Sequence, residues 1–307
     1  MRAAQYTSYG ALENVQIVDM PKPSIGLGQI LVEVKAAGVN PIDWKCVMGF
    51  GDFFGHQLPQ QLGVEVAGIV SNVSSDVTRF KVGDKVHASI PGSRMGGLAE
   101  YTLLYADEAA KMAPDLNFET AAALALGTST AWQAMIEIGE LQSGERVLIH
   151  AAAGGVGSLA VQIATALGCE SVGTGSAHNL DYIKSLGATD AFDYAAARFE
   201  EKLDDFDLVL GTFGGDTLER SGEVLKPGGR LVSVSDPIPE GMSERYGIHT
   251  NFAMVRSDGK QLQHLMTGVN GHRLRATVAE MIGLDGIVDA LKQSRNGHVR
   301  GRIVVIF

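Results

Sequence analysis

Apolar and polar positions alternate with a period of two in several short runs near the start of the chain. They are VQIVD (15–19), QILVEVKAAG (29–38), EVAGIVSNV (65–73), DKVHASI (84–90) and LAEYTLLY (98–105), all rich in β-branched residues. Glycine and proline punctuate them, as in PKPSIGLG and RFKVGD. The alternation predicts an antiparallel, barrel-like β domain. From about residue 118 the period changes. FETAAALALGTSTAWQAMIEIG reads as a long helix opening near Asn117 and closing on Gly139. Beyond it, apolar strands alternate with helices. The strands are RVLIHAA (146–152), SVGTG (171–175), DAFDY (190–194), DLVLGT (207–212) and RLVSVS (230–235); the helices are SLAVQIATALG, NLDYIKSLGA and DTLERSGEVLKPGG. That order predicts a doubly wound parallel sheet covered on both faces. The tail reads as a helix, DGIVDALKQS, and a strand, RIVVI (302–306), which can return to the first domain and make the parallel-sheet domain an insertion.

Composition narrows the class. Of 307 residues, 45% are hydrophobic and 20% charged, as in ordinary globular proteins. The net charge of −10 argues against a nucleic-acid surface, which needs clustered Lys and Arg. The longest apolar run, AAALAL (121–126), is too short to span a bilayer, and MRAAQYTSYG has no secretory h-region. The two cysteines, Cys46 and Cys169, lie far apart without CxxC spacing, so neither a disulfide framework nor a structural zinc site is expected. The cytoplasm is the expected compartment.

The stretch HAAAGGVGS (150–158) supplies the first chemistry. Against G-x-G-x-x-G it offers Ala152, Gly154 and Gly157 between a predicted strand and a predicted helix. A side chain at the second glycine would keep a pyrophosphate off the backbone, and the third lets the helix pack closely on its strand. Alanine at the first position is tolerable where its backbone angles are ordinary. Gly154, Gly155, Val156 and Gly157 are therefore the candidate dinucleotide cradle, with the following helix aiming free N–H groups at phosphate. A carboxylate at the end of the second strand would select NAD; here the chain has Gly175 and Ser176, with His178 just beyond. Without that carboxylate a 2′-phosphate is not repelled, and Ser176 and His178 can donate to it, which favours NADPH. Ser176 and Asn179 can equally cap the helix NLDYIKSLG, and both roles are compatible.

Beyond these motifs, AAGVNPIDWK (36–45), GVEVAGIV (63–70), FKVGDKVHA (80–88), GGLAEYT (96–102), TAWQAM (130–135), RVLIHAAAGGVGSLAVQIA (146–164), YIKSLGAT (182–189) and VRGRIVV (299–305) resemble one family along nearly the whole chain. It is the zinc-independent branch of the medium-chain dehydrogenase/reductases, the quinone oxidoreductase and zeta-crystallin group, close to the alkenal and enone oxidoreductases. The resemblance implies a GroES-like β-barrel catalytic domain, 1–118 with 257–307, and an inserted Rossmann domain, 119–256. Zinc-bearing relatives carry a cysteine and a histidine where this chain has Asn40 and Val64, so no metal is expected. The implied activity is NADPH-dependent reduction of quinones or α,β-unsaturated carbonyls. Two other outcomes stand beside it, a non-catalytic NADPH-binding sensor or structural protein and a discrete enoyl reductase acting on acyl chains.

By the same correspondence Asn40, Asp43 and Lys45 are catalytic candidates, and Thr130 lies beside the nicotinamide. Tyr194 flanks the adenosine; Thr212, Phe213 and Ser235 follow the fourth and fifth strands; Arg302 replaces a family lysine that contacts phosphate or carboxamide. A homodimer or homotetramer is implied. Competing readings come from local pattern. Asn40, Pro41 and Asp43 make a helix start by themselves. Lys45 can be a solvated lysine, Cys46 a packed thiol, and Tyr194 a core residue. The segment 49–62, with Phe53, Phe54 and His56, reads either as pocket lining or as a packed loop.

Overall fold

The computed structural model describes residues 1–307. They divide into two compact units, one of Met1–Leu126, Arg256–Met266 and Arg275–Phe307, the other of Gly127–Val255 and Thr267–Leu274. Two features differ from the expected segments. The division falls inside the helix Phe118–Trp132, because Ala121, Ala122 and Ala123 pack with Ala36, Ala67 and Val304. Residues 267–274 group with the second unit, where the Asn270 amide donates to the Ala166 carbonyl at 2.9 Å.

The first unit contains a seven-stranded and a three-stranded sheet. The long strand Gln29–Val39 alternates buried and half-buried positions until its end, where burial becomes continuous. It pairs antiparallel with Glu65–Val73, Tyr101–Tyr105 and Arg302–Ile306. The C-terminal strand thereby sets Arg302 just past the register pair Ile303–Val39. Gln29–Val39 leads through Asn40 into the short helix Pro41–Val47. A further strand, Val278–Gly283, joins Arg302–Ile306 in parallel; its exposed face gave no apolar alternation to read.

The second unit carries one parallel sheet. Counting its strands along the chain, the order is 3-2-1-4-5-6, the Rossmann arrangement: Arg146–Ile149 at the centre, Glu170–Gly175 and Asp190–Asp193 on one side, Phe206–Gly211, Leu225–Ser233 and His249–Phe252 on the other. Leu148, Ile149, Val209 and Leu231 are fully buried at its middle, each stabilising by about 1.5–3 kcal/mol. The helical stretch expected at DTLERSGEVLKPGG is shorter. The α-helix stops at Arg220, a 3-10 turn runs Ser221–Val224, and the fifth strand already begins at Leu225. Leu225 pairs with Phe206 and Arg230 with Leu208, so Pro227-Gly228-Gly229 stands out as a bulge. The long helix also differs: regular α turns end at Trp132 and a π segment fills Gln133–Ile138.

Candidate functional site

In the first unit, Asn40 has extended φ/ψ and Pro41 occupies the first helical position, so the helix starts as its sequence predicts. The Asn40 N–H donates to Asp43 Oδ2 at 2.8 Å. The other oxygen, Oδ1, accepts the Gly63 N–H at 2.9 Å. Gly63 has φ +101°, and a Cβ there would collide with the backbone of Gly97 and Leu98. Asp43 is fully buried. Burial pushes its carboxyl up to about 7; the two N–H donors and Arg302 pull it down, while Glu65 adds to the rise.

Glu65, which the sequence reading did not single out, organises the rest. Its Oε1 accepts from Asn40 Nδ2 at 2.9 Å and lies 2.9 Å from Arg302 Nε. Its Oε2 accepts from the Leu126 N–H at 3.0 Å. A Cβ at Gly38 would overlap this carboxylate, which explains the glycine near the end of the strand Gln29–Val39. Arg302 is 5% exposed, its Nε meets Glu65 only as an ion pair, and neither Nε nor Nη2 has a hydrogen-bond acceptor. A lone glutamate inside the apolar run GVEVAGIV was the available signal for this cluster.

The structure thus joins Asn40, Asp43 and Arg302 through Glu65. Lys45 stands two positions beyond Asp43 on the helix, off its face, with its ammonium 5.8 Å from the Trp44 ring centroid. Cys46 is a packed thiol, pushed up to about 12 by burial. No group of three or more His, Cys, Asp or Glu side chains is placed to hold a metal ion. In the segment 49–62 the His56 Nε2 faces the Gly92 carbonyl at 2.6 Å and so carries the proton; its Nδ1 accepts from the Tyr6 hydroxyl at 2.6 Å. His56 therefore packs the loop. Phe53 stacks on Phe50, with Phe54 edge-on to both, and stays 63% exposed.

In the second unit, the glycine loop leaves Arg146–Ile149 and enters the helix Gly157–Ala166, with Val156 at the cap. Ala152 keeps a negative φ, and the left-handed conformation falls on Ala151 instead, at φ +47°. A Cβ at Gly173, on the neighbouring strand, would approach the Ala152 methyl to 2.5 Å. The missing first glycine is thus compensated by a glycine across the sheet. A Cβ at Gly157 would overlap the Ala151 carbonyl, as close helix–strand packing requires. At Gly154 a Cβ would meet only the Ala151 carbonyl, at 3.2 Å. Apart from its two chain neighbours, no other atom of the chain lies within 4 Å of that position, which is compatible with the close approach of a phosphate group to the loop backbone.

At the end of the second strand Ser176 precedes a 3-10 turn, accepts from Asn179 Nδ2 at 3.1 Å and lies 3.3 Å from His178 Nδ1. The Tyr194 N–H donates to the Gly175 carbonyl at 3.2 Å, while its side chain is 48% exposed, so Tyr194 is not a core residue. Gly175 itself makes room for Ile183. The Thr212 hydroxyl donates to the His150 carbonyl at 2.6 Å, and Phe213 next to it is 54% exposed. Ser235 is half-buried beyond the fifth strand, its N–H 3.3 Å from Ser233 Oγ, and Thr130 is buried in its helix. Gly175, Ser176, His178 and Tyr194 thus form one group and Thr212 adjoins the glycine loop.

Comparison with known proteins agrees with this architecture. Residues 26–115 match the family described as alcohol dehydrogenase GroES-like domain, and 186–305 the family described as zinc-binding dehydrogenase. The 2-methylene-furan-3-one reductase of Solanum lycopersicum is 32% identical over 317 residues, covering 99% of this chain and 79% of that protein. The solved quinone oxidoreductase of Coxiella burnetii superposes with a TM-score of 0.93 at 32% identity, over 100% of this chain and 99% of that one. The Escherichia coli quinone oxidoreductase, solved with NADPH, gives 0.90 at 27% identity, over 100% of both chains. The chain belongs to the medium-chain dehydrogenase/reductase superfamily.

Proposed function

We propose that this chain is an NADPH-dependent reductase of quinones or α,β-unsaturated carbonyl compounds. The observation that carries the reading is the end of the second Rossmann strand, where Ser176 and His178 stand in place of a carboxylate. The similar proteins named quinone oxidoreductase and 2-methylene-furan-3-one reductase, and the neighbour solved with NADPH, support the same activity. NADPH, when bound, supplies a hydride. Gly155, Val156 and Gly157 would offer backbone N–H groups to the pyrophosphate, and Gly154, whose N–H is held by the Ala151 carbonyl, would let it approach the backbone. Ser176 and His178 would donate to the 2′-phosphate, and the exposed Tyr194 would pack against the adenosine. Thr130, Thr212, Phe213 and Ser235 would serve the nicotinamide half; the family resemblance assigns Arg302, whose Nη2 is unpartnered, to a phosphate or carboxamide contact.

The units then act as a nucleotide-binding domain and a catalytic domain. Asn40 and Asp43 line the acceptor site, and Lys45 stabilises negative charge on the acceptor oxygen or relays a proton. The reaction is metal-free in this proposal. In place of soft ligands the Asn40 side chain is tied to Glu65, whose charge Arg302 balances. No helix is long and apolar enough to cross a membrane. Two unpaired thiols are consistent with a cytoplasmic setting, and a homodimer or homotetramer is the proposed assembly. The test is oxidation of NADPH and of NADH against a panel of quinones, alkenals and cyclic enones. Turnover with NADPH preferred is expected. Tight NADPH binding without turnover would mark a sensor, and a preference for NADH would sink the role of Ser176 and His178.

A further inference from the structure

A buried polar chain runs beneath the glycine loop and ends on its one left-handed alanine. His150 closes the first Rossmann strand and is buried, edge-on to Phe199. Its Nε2 lies 3.0 Å from Ser221 Oγ, and its Nδ1 3.2 Å from Thr174 Oγ1. The Ser221 hydroxyl already donates to the Thr217 carbonyl at 2.7 Å, so it can only accept from the ring. Nε2 therefore carries the proton, and Nδ1 accepts the Thr174 hydroxyl. Burial, with Arg220 adding to it, pushes the imidazole down to about 4 and keeps it neutral, as this arrangement needs.

Thr174 then holds two successive loop amides. Its hydroxyl oxygen accepts the Ala151 N–H at 3.3 Å and its carbonyl accepts the Ala152 N–H at 2.9 Å. Ala151 sits at φ +47°, a conformation that a residue with a Cβ adopts only where its surroundings impose it. Its carbonyl in turn accepts the Gly154 N–H at 2.9 Å and leaves no room for a side chain at Gly157. Three polar side chains buried together carry a desolvation cost that an apolar core would avoid. Here they converge on the residue that sets the course of the loop.

We propose that Thr174 and His150 are positioning residues of the dinucleotide site. The imidazole orients the Thr174 hydroxyl, the hydroxyl holds Ala151 left-handed, and the Gly154–Gly157 amides are preset before the cofactor arrives. Neither residue touches the cofactor. The inference rests on the reading of this loop as an NADPH cradle.

The test uses the full chain and four proteins: wild type, Thr174→Val, Thr174→Ser and Ser221→Ala. NADPH affinity is read by fluorescence titration, KM for NADPH and kcat with one accepted quinone or enone, and folding by thermal melt. Thr174→Val keeps the shape and removes the hydroxyl; it should weaken NADPH binding and raise KM about 10-fold with kcat within about 2-fold. Thr174→Ser should restore both to within about 2-fold of wild type, because the hydroxyl returns. Ser221→Ala, a small truncation distant from the loop, should weaken binding about 3-fold by releasing the tautomer, and carries the test if Thr174→Val does not fold. Wild-type affinity in both Thr174→Val and Ser221→Ala overturns the proposal. So does a Thr174→Ser variant as weak as Thr174→Val, or a loss confined to kcat. A wild-type chain that binds no NADPH would overturn the cofactor reading itself, an outcome the first titration separates from the rest.

Discussion

Glu65→Gln is the sharpest perturbation of the first unit. Two hydrogen-bond donors and a cation converge on two carboxylate oxygens: Asn40 Nδ2 donates to Oε1, which Arg302 Nε approaches as an ion pair at 2.9 Å, and the Leu126 N–H donates to Oε2. An amide has one oxygen and one NH2, so either orientation turns a donor toward a donor. The change also strips the counter-charge from a guanidinium only 5% exposed. Breaking a buried pair by removing one partner costs about 3–5 kcal/mol, more than the loss of any single hydrogen bond. At about 2–4 °C per kcal/mol for a unit of this size, the melting transition of the first unit should fall by roughly 6–20 °C.

The measurement is a thermal and a urea melt of the wild type, Glu65→Gln, and the cycle of Glu65→Leu, Arg302→Met and the double variant Glu65→Leu/Arg302→Met. Replacing both charges by apolar groups of similar size removes the uncompensated charge, so the double variant should lose less than the two single changes added together. A coupling of at least about 2 kcal/mol is expected. If Glu65→Gln cost under about 1 kcal/mol, or the double variant were simply additive, the cluster would not be the buried, mutually dependent unit described above.

Three further outcomes follow from the same geometry. Asp43 has its folded pKa raised to about 7 from an ordinary 3.8, so its contribution to stability is fully present at pH values below about 4. It is lost as pH rises to about 7 and is constant above, a difference on the order of 4 kcal/mol that Asp43→Asn should abolish; parallel urea midpoints for the two proteins between pH 4.5 and 8 would refute it. Gly154→Ala puts a Cβ 3.2 Å from the Ala151 carbonyl, so it should lower the melting temperature modestly, yet weaken NADPH binding at least ~10-fold. Isothermal titration of NADPH with both proteins checks this, and equal affinity would show that the cradle lies elsewhere. Ser176→Asp places a carboxylate at the proposed 2′-phosphate position and should lower the NADPH-to-NADH ratio of kcat/KM by about 10-fold or more, and an unchanged ratio would remove Ser176 from the site.

The parallel sheet was legible because its central strands are short continuous apolar runs, and burial on both faces demands that pattern. His249–Phe252 was not, since three of the four residues of this edge strand are polar and it pairs on one side only. Leu225–Ser233 was misread for another reason. Pro227-Gly228-Gly229 signals a turn locally, and only the partners Phe206 and Leu208 reveal that the strand resumes on both sides of it. The imperfect glycine loop shows the same limit at the site. Whether Ala152 is a defect depends on Gly173, which lies 21 positions along the chain and on another strand.

Asn40 and Asp43 show why a local motif left two readings standing. As a helix start, Asn40-Pro41-x-Asp43 is complete within four residues, and a lysine or alanine at position 65 would have left that pattern intact. The structure makes the cap and the cluster the same set of contacts. Asp43 Oδ2 takes the Asn40 N–H as a cap does, while Oδ1 reaches Gly63 and the Asn40 carboxamide is turned to Glu65. A cap at an exposed helix end has no need of full burial or of a neighbouring glutamate–arginine pair. Full burial raises Asp43 into the range where it can exchange a proton near neutrality, and Glu65 and Arg302 bias that exchange in opposite directions. Glu65→Gln should therefore lower the Asp43 pKa and Arg302→Met raise it, opposite shifts that carboxyl-resolved NMR titration of the two variants can read. Shifts of the same sign would mean that Asp43 answers to burial alone, and that the helix start is only a helix start.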